Sequence, residues 1–530
     1  MLGRMTQRTI AHRVNGAGDS PCPARPSATS PFETRNRLLG LARGAAARPG
    51  GRLLDAGRGN PDWIAVEPRR AFFQLGRHAA LGNGLPDQGA QLDAFVRALG
   101  YEDDGEPWWS RALAWAESSL DLDRHALFGG LCDGVLGARY PEPPAMLPLP
   151  DRICRAHLAQ VYGLDERTAQ SMRLFATEGA SAAICYLFES LLGNGLLAAG
   201  DRIAVVTPIF SPYLEILSRP AFGFGIDVLP LDEGGGWQLP QHCIDRLRDP
   251  AIRALVAVNP GNPVACPLGA DVVERIGTLV ESERPDLLVI SDDDYGPLVP
   301  GYASFAARLP RNTAALFSYS KFFGATGWRL GIMSLAADHV LDRWLAERPD
   351  TRIVTDESRY GSLSAAPGGP DFFHRLVADS RGVAFHHTAG LSTPQQVQMA
   401  LFALDALMDA EGRRCHELRA ALTGRRAALW RGLGLPAPFV QDHTGYYEWL
   451  DTARLVRQWA PLASSPAALP PAMPDLLDRL AAGHGVVVLP GSGFGGSDSS
   501  LRVSLANLPE ADLERVGRAL RAVCTDSGEA

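Results

Sequence analysis

Lysine is almost absent from this 530-residue chain: Lys321 is the only one among 51 Lys and Arg residues. An arginine stays protonated, whereas an amine can lose its proton and attack a carbonyl. A sequence that writes every other fixed cation as Arg has kept an amine at one place, which makes Lys321 a candidate Schiff-base lysine. The same scarcity excludes other chemistries. There is no Gly-Lys-Ser/Thr for a phosphate loop. Ser318-Tyr-Ser-Lys321 has the Ser-x-x-Lys spacing of penicillin-binding nucleophiles, but the Lys-Thr-Gly element they also need cannot exist here.

Cysteine pairs are missing too. The eight cysteines (22, 132, 154, 185, 243, 266, 415 and 524) are scattered with no Cys-x-x-Cys, so neither a zinc ribbon nor a disulfide framework is expected, and reduced thiols are. No metal site is expected. No apolar run approaches the roughly 18 residues of a membrane span, and no apolar leader core follows Met1. The expectation is a cytoplasmic protein with no membrane contact. A formal charge of −8 provides no basic face for nucleic acid. What is present is an ordinary folded composition, 46% hydrophobic and 21% charged, in a chain long enough for two to four domains.

Residues 1–29, rich in Arg, Pro, Ser and Gly, read as a flexible arm. Residues 30–65 open with Ser30-Pro-Phe-Glu33, a capping box with Pro at the first helical position, which predicts a helix from Pro31 to about Ala47. Leu54-Asp-Ala-Gly-Arg-Gly-Asn-Pro61 then reads as a ligand-side turn carrying Arg58, a candidate carboxylate binder. Residues 66–395 form the expected large domain. Its first part is largely helical, with Trp108, Trp109 and Trp115 as core or interface aromatics, and the proline-rich Tyr140–Pro150 is expected to be extended. From about 173 to 335, short apolar runs at 203–206, 254–258, 287–290, 314–317 and 331–334 alternate with helical stretches such as 180–192 and 270–280. This predicts an α/β fold around a mainly parallel sheet covered on both faces. Residues 396–530 are expected to form a smaller α/β domain with the N-terminal segment. Long helices between 394 and 423, strands at 486–489 and 501–505, and a Pro/Ala-rich inserted loop at 461–474 belong to it.

Ligands of parallel sheets bind beyond the carboxyl ends of the strands, so the polar residues after each run matter. Glu178-Gly-Ala-Ser181 opens a helix with small residues, where free N–H groups favour a phosphate. Asn259-Pro-Gly-Asn262-Pro follows one strand and Asp292-Asp-Asp-Tyr295 another. Ser318, Ser320 and Arg329 surround Lys321 with donors suited to phosphate oxygens. In order and spacing these residues resemble the fold-type I pyridoxal-phosphate enzymes of the aspartate aminotransferase superfamily. The resemblance implies pyridoxal 5′-phosphate as cofactor and a homodimer or higher homo-oligomer acting on an amino acid. Lys321 would hold the cofactor and move the α-proton. Asp292 would keep the pyridine nitrogen protonated, and Tyr295 and Asn262 would bond the ring hydroxyl. Gly179, Ala180, Ser181, Ser318 and Arg329 would cup the phosphate, Phe210 would stack on the ring, and Arg502 would clamp the substrate α-carboxylate.

Ala56-Gly-Arg-Gly-Asn-Pro61, Tyr140-Pro-Glu-Pro143, Phe323–Gly331, His387–Gln396 and Arg502–Leu508 are further similar to the aspartate 4-decarboxylases, large oligomers that also transaminate aspartate. That likeness places Tyr140, Arg381 and Thr388 near the substrate. Three positions depart from it. Asp294, a candidate substrate contact, stands where an apolar residue is expected against the ring, His386 where Asn is expected, and Gly493–Ser500 lacks an expected tryptophan and reads as a more flexible run. The functional expectation is an aspartate 4-decarboxylase/aminotransferase. The alternative is a relative recruited to β- or γ-elimination, or to carbon–carbon bond formation, on a bulkier amino acid such as S-adenosylmethionine. A DNA-binding regulator on this fold is not the expectation, since it would need a helix-turn-helix module and the segment before Ser30 is short for one.

Overall fold

The computed structural model describes residues 30–81, 92, 95, 107–349, 353–363, 369–383, 389–460 and 470–525. The arm at 1–29, His386, Thr388 and residues 461–469 lie outside these. The first described helix is Pro31–Ala46. The Ser30 hydroxyl accepts the Glu33 N–H and the Glu33 carboxylate accepts the Ser30 N–H, both at 3.2 Å, which closes the capping box,.

The strands, in chain order, are β1 (Leu54–Asp55), β2 (Met172–Thr177), β3 (Arg202–Thr207), β4 (Gly225–Pro230), β5 (Ile252–Val258), β6 (Leu288–Asp292), β7 (Thr313–Ser318), β8 (Gly331–Ala336), β9 (Tyr447–Asp451), β10 (Val486–Val487), β11 (Leu489–Pro490) and β12 (Ser500–Ser504). Seven of them form one sheet in the order β2-β8-β7-β6-β5-β3-β4. All neighbours are parallel except β8, which runs against both β2 and β7. The five apolar runs read from the sequence are all strands of this sheet. Strands β2 and β4 escaped that reading. β2 follows the helix Glu166–Ser171 with no Gly or Pro between them. β4 is an edge strand holding Asp227, a residue type rare in strands. Here Asp227 accepts from Arg202 at 2.5 Å and Arg246 at 2.7 Å.

The two-residue period of a strand divides the sheet between two cores. Ile203, Val205, Ala254, Val256, Leu288 and Ile290 face the larger one. Ala204, Val206, Leu255, Ala257 and Val289 face a second core under the helix Ala270–Ser282. A sheet buried on both faces explains why these runs are apolar without alternation. The Tyr140–Pro150 stretch is not extended throughout. Pro148 opens the helix Pro148–Tyr162, because proline at the first helical turn forfeits only an N–H that has no helical partner.

Beyond the sheet, Thr393–Met408 is a helix buried on nearly every side, packed against Pro148–Tyr162 and Val66–Leu81. The domain division expected at 395/396 therefore cuts a continuous helix. The next helix, Arg413–Leu433, crosses Glu510–Thr525 closely. A Cβ at Gly432 would lie 2.1 Å from the Glu514 carbonyl oxygen and one at Gly517 2.2 Å from that of Leu429, so the approach depends on two glycines. Strands β11-β12-β9 form an antiparallel sheet, and β1 pairs with β10, joining the N-terminal segment to the C-terminal part. β9 was not read from the sequence. The loop expected over 461–474 ends early, since Met473 opens the helix Met473–His484. No helix among the described residues is long and apolar enough to cross a membrane, and the seven described cysteines are unbridged.

Candidate functional site

Strand direction assembles the site. β5, β6 and β7 are parallel, so Asn259, Asp292 and Ser318 emerge at one edge of the sheet. Because β8 is antiparallel it begins at that edge, and because β2 opposes β8 it ends there. Gly331 is thus in register with both Ser318 and Thr177. This brings Arg329, just before β8, against Glu178 and Gly179, just after β2.

At that junction a guanidinium meets a helix start. Gly179 caps the helix Ala180–Gly193 with φ +93°, a conformation that L side chains rarely adopt. A Cβ there would lie 2.6 Å from Arg329 Nη2. Arg329 is itself left-handed at φ 55° and donates to the Glu178 carbonyl at 3.1 Å. Ala180 is buried and Ser181 half-buried at the first turn, and Ser318 Oγ, buried, lies 2.8 Å from Ser320 Oγ. Free helix N–H groups, two hydroxyls and an arginine make a cradle for an anion.

Lys321 is half-buried just beyond β7, and its own carbonyl is fixed by the Trp63 indole N–H at 3.1 Å. Asp292 is buried and accepts the Tyr213 hydroxyl and, at 3.2 Å, the Asp294 N–H. Burial raises its proton affinity, and the Tyr213 and Asp294 bonds work against that rise, as does the charge of Lys321,. Asp294 is pushed well above the usual carboxylate range by burial first and then by Asp292. Its Oδ1 is enclosed without a partner. Asn262 donates to the Tyr295 hydroxyl at 3.3 Å, and that hydroxyl lies 3.0 Å from the one on Tyr447. Burial raises the Tyr295 phenol, so it stays neutral and able to donate.

Arg502, on β12, is only 4% exposed. It donates to the Gly57 carbonyl at 2.7 Å and to Asn262 Oδ1 at 3.3 Å, between the rings of Tyr447 at 4.6 Å and Phe494 at 4.5 Å. Phe210, half-buried, stands before the helix Ser211–Leu217, edge-on to Tyr213 at 5.9 Å. The Gly493–Ser500 run is less open than its composition suggests. Gly491–Phe494 is a 3-10 turn, Phe494 is buried, and its carbonyl accepts the Ile209 N–H at 2.8 Å, closing this run over the Phe210 loop.

Asp292, Asp294, Tyr295, Asn262 and Arg502, all buried, thus form one cluster with the half-buried Lys321. Three other candidates stand apart from it. Arg58 is exposed and has no partner among the described residues. Tyr140, 69% exposed, and Arg381 line a different cavity of about 960 Å³ beside Arg155, Arg173 and Phe373, and Lys321 is not among its lining residues. Sequence reasoning missed Tyr213, Tyr446, Tyr447 and Phe494. Tyr213 follows Phe210 at helical spacing, and Gly445-Tyr-Tyr447 opens an apolar run, so a weak signal existed for both.

The residues present fit pyridoxal 5′-phosphate. An anion cradle kept clear by a glycine, a buried carboxylate, two hydroxyl-directed donors and an amine surround a site whose Asp294 Oδ1, Asn259 Nδ2 and Arg502 Nε are buried without protein partners.

Known proteins place these features in a wider group. The family model described as "Aminotransferase class I and II" matches residues 154–520. A bifunctional aspartate aminotransferase and L-aspartate β-decarboxylase of Pseudomonas sp is 39% identical over 93% of this chain and 95% of its own length. A probable N-succinyldiaminopimelate aminotransferase of Mycobacterium tuberculosis is 26% identical over 47% of this chain and 54% of its own. Among solved structures, a Thermus thermophilus aspartate aminotransferase variant aligns with a TM-score of 0.57 at 20% identity, covering 93% of this chain and 97% of that one. The N-succinyldiaminopimelate aminotransferase of M. tuberculosis aligns at 0.58 and 18%, covering 94% and 100%. At these identities the two structures show a shared fold, that of fold-type I enzymes.

Proposed function

The chain belongs to the aminotransferase class I and II family, and on that premise we propose that it acts on L-aspartate, releasing the β-carboxylate as CO₂ to leave alanine and, in a competing course, transaminating the same substrate. It is a pyridoxal 5′-phosphate enzyme. The observation that carries the substrate is the 39% identity extending over 95% of the bifunctional relative. When bound, the cofactor supplies an aldehyde for attachment to an amine and a ring that accepts the electrons left at Cα.

The chain's own groups do the rest. Lys321 would hold the aldehyde and then, freed by the substrate amine, carry the α-proton. Asp292, kept in place by Tyr213, would face the ring nitrogen as a carboxylate, and Tyr295 with Asn262 would orient the ring hydroxyl. Gly179, Ala180, Ser181, Ser318 and Arg329 would bind phosphate, and Phe210 would cover the ring. Arg502 would fix the α-carboxylate, which leaves the β-carboxylate free to depart as CO₂. Arg58, Tyr140, Arg381 and Thr388 remain proposed substrate contacts. Since Tyr140 and Arg381 lie in another cavity of the same subunit, their role requires a homo-oligomer in which this face meets the Lys321 site of a neighbour. A cytoplasmic location accords with the unbridged cysteines,.

The test is incubation with L-aspartate, following alanine, CO₂ and oxaloacetate. Alanine with CO₂ supports decarboxylation, and oxaloacetate alone supports transamination. If none forms, a second reading takes over: elimination or carbon–carbon bond formation on a bulkier amino acid. The buried carboxyl of Asp294, whose Oδ1 meets no partner, is the observation that favours it.

A further inference from the structure

Three consecutive carboxyls, Asp292 closing β6 and Asp293 and Asp294 just after it, are all buried. Asp293 is fully met. It accepts from Ser291 Oγ and Ser304 Oγ, each at 3.0 Å, and from the Tyr302 hydroxyl. Asp292 accepts from the Tyr213 hydroxyl and the Asp294 N–H. Asp294 differs from both, since its side chain is enclosed and Oδ1 meets no donor.

An ionised carboxylate in such a place costs several kcal/mol unless it is paired and hydrogen-bonded, whereas a neutral carboxyl costs far less. The elements packed around Asp294 offer little compensating charge. The helix Ser211–Leu217 presents Tyr213, the helix Pro148–Tyr162 presents Tyr162, the loop before β9 presents Tyr446, the end of β6 presents Asp292, and the segment after it presents Asp293 and Tyr295. The end of β7 supplies the Ser318 N–H and the stretch after it Lys321, the cation that acts on Asp294 among the described residues, and its field is shared with Asp292. One amine cannot neutralise two buried carboxylates. The balance closes if one proton stays on the pair, with Asp294 the donor and Asp292 the acceptor.

We propose that Asp292 and Asp294 form a proton-sharing pair in which Asp294 is a neutral acid at physiological pH, fixing the charge that Asp292 presents to the cofactor ring. Asp294 is then a positioning residue. By donating to Asp292 it makes that carboxylate a weaker proton acceptor than a lone buried one would be. The pair carries one proton and one negative charge, and no other reactant is needed. The clause about the ring rests on the cofactor reading above, whereas the shared proton does not.

The experiment is infrared spectroscopy of the protein as purified, at about pH 8.5, above the value of about 7 to which burial lifts Asp293,. A deuterium-sensitive protonated-carboxyl band is expected in the wild type and in Asp293→Asn, and is lost in Asp294→Asn, an isosteric change that preserves the shape of the site. Absence of the band in the wild type, or its persistence in Asp294→Asn, overturns the proposal. The pH midpoint of the bound cofactor's visible absorbance gives a second readout. It should stay at the wild-type value in Asp294→Asn, whose amide still donates, and rise by about one unit in Asp294→Val, which cannot. An unshifted Asp294→Val refutes the charge-setting role. A protein that takes up no cofactor would refute the cofactor reading and leave the infrared result to decide the pair.

Discussion

Replacing Arg502 by Lys tests the substrate end of the site with charge held constant. Arg502 is held by the Gly57 carbonyl at 2.7 Å and Asn262 Oδ1 at 3.3 Å, and lies between two aromatic rings within 4.6 Å. A lysine keeps one positive charge but loses the planar fork and most of the stacking. One forfeited charge-assisted hydrogen bond to a carboxylate is worth about 1.5–3 kcal/mol, and weakened contact with the two rings about 0.5–1 kcal/mol each. A loss of roughly 3 kcal/mol corresponds to about a 100-fold fall in kcat/KM for L-aspartate. The α-carboxylate is bound alike before and during the reaction, so the fall should appear mainly as a rise in KM. Steady-state kinetics with a coupled alanine or oxaloacetate assay reads this directly, and an unchanged cofactor absorbance spectrum shows that the site is intact. A KM within about threefold of the wild type would refute the assignment of Arg502 as the carboxylate clamp.

Other consequences follow from the same geometry. Lys321→Ala should abolish covalent retention of the cofactor, so visible absorbance disappears on denaturation and desalting; a band that survives both steps would place the attachment elsewhere. Gly179→Ala sets a Cβ 2.6 Å from Arg329 Nη2 at φ +93° and should weaken cofactor affinity by about tenfold or more, measured by titrating cofactor into the apoprotein. Arg375, 1% exposed, pairs with Asp356 at 2.7 Å and Asn194 at 2.9 Å. Arg375→Ala should cost about 3 kcal/mol in urea unfolding, and a loss under about 1 kcal/mol would show that Arg348 alone suffices. Burial acts to raise the Asp356 carboxyl, but the bonds from Arg348 and Arg375 outweigh it and hold it below the ordinary range. Its stabilisation is therefore full above the unfolded value of about 3.9 and is lost as pH falls through the lower folded value. Asp356→Asn should flatten that acid limb of the stability curve.

The strand-end residues were legible because backbone direction alone places them. A parallel strand delivers its last residue to the same edge as its neighbours, so Asn259, Asp292 and Ser318 could be grouped without coordinates. Elements without punctuation or with the wrong composition were not legible. β2 runs straight on from a helix, and β4 holds Asp227 because Arg202 and Arg246 neutralise it, partners 25 and 19 residues away. Tyr447 and Phe494 escaped for a related reason. Their importance is contact with Arg502, which depends on how β9, β12 and the 3-10 turn pack.

By itself the sequence determined the candidate amine, since one lysine among so many arginines leaves no competitor, and with it the α/β layering and the residue set proposed to hold the cofactor. Those properties are local: side-chain chemistry, strand period and spacing along one strand end. Tertiary structure alone decided that β8 is antiparallel and so brings Arg329 to Gly179, that Arg502 lies between two rings, and that Tyr140 and Arg381 face a separate cavity. It also decided that Asp294, beside Asp292, has one carboxyl oxygen, Oδ1, with no hydrogen-bond partner. Burial and partner count are set by groups hundreds of residues apart in the chain, and they determine whether a carboxyl carries charge.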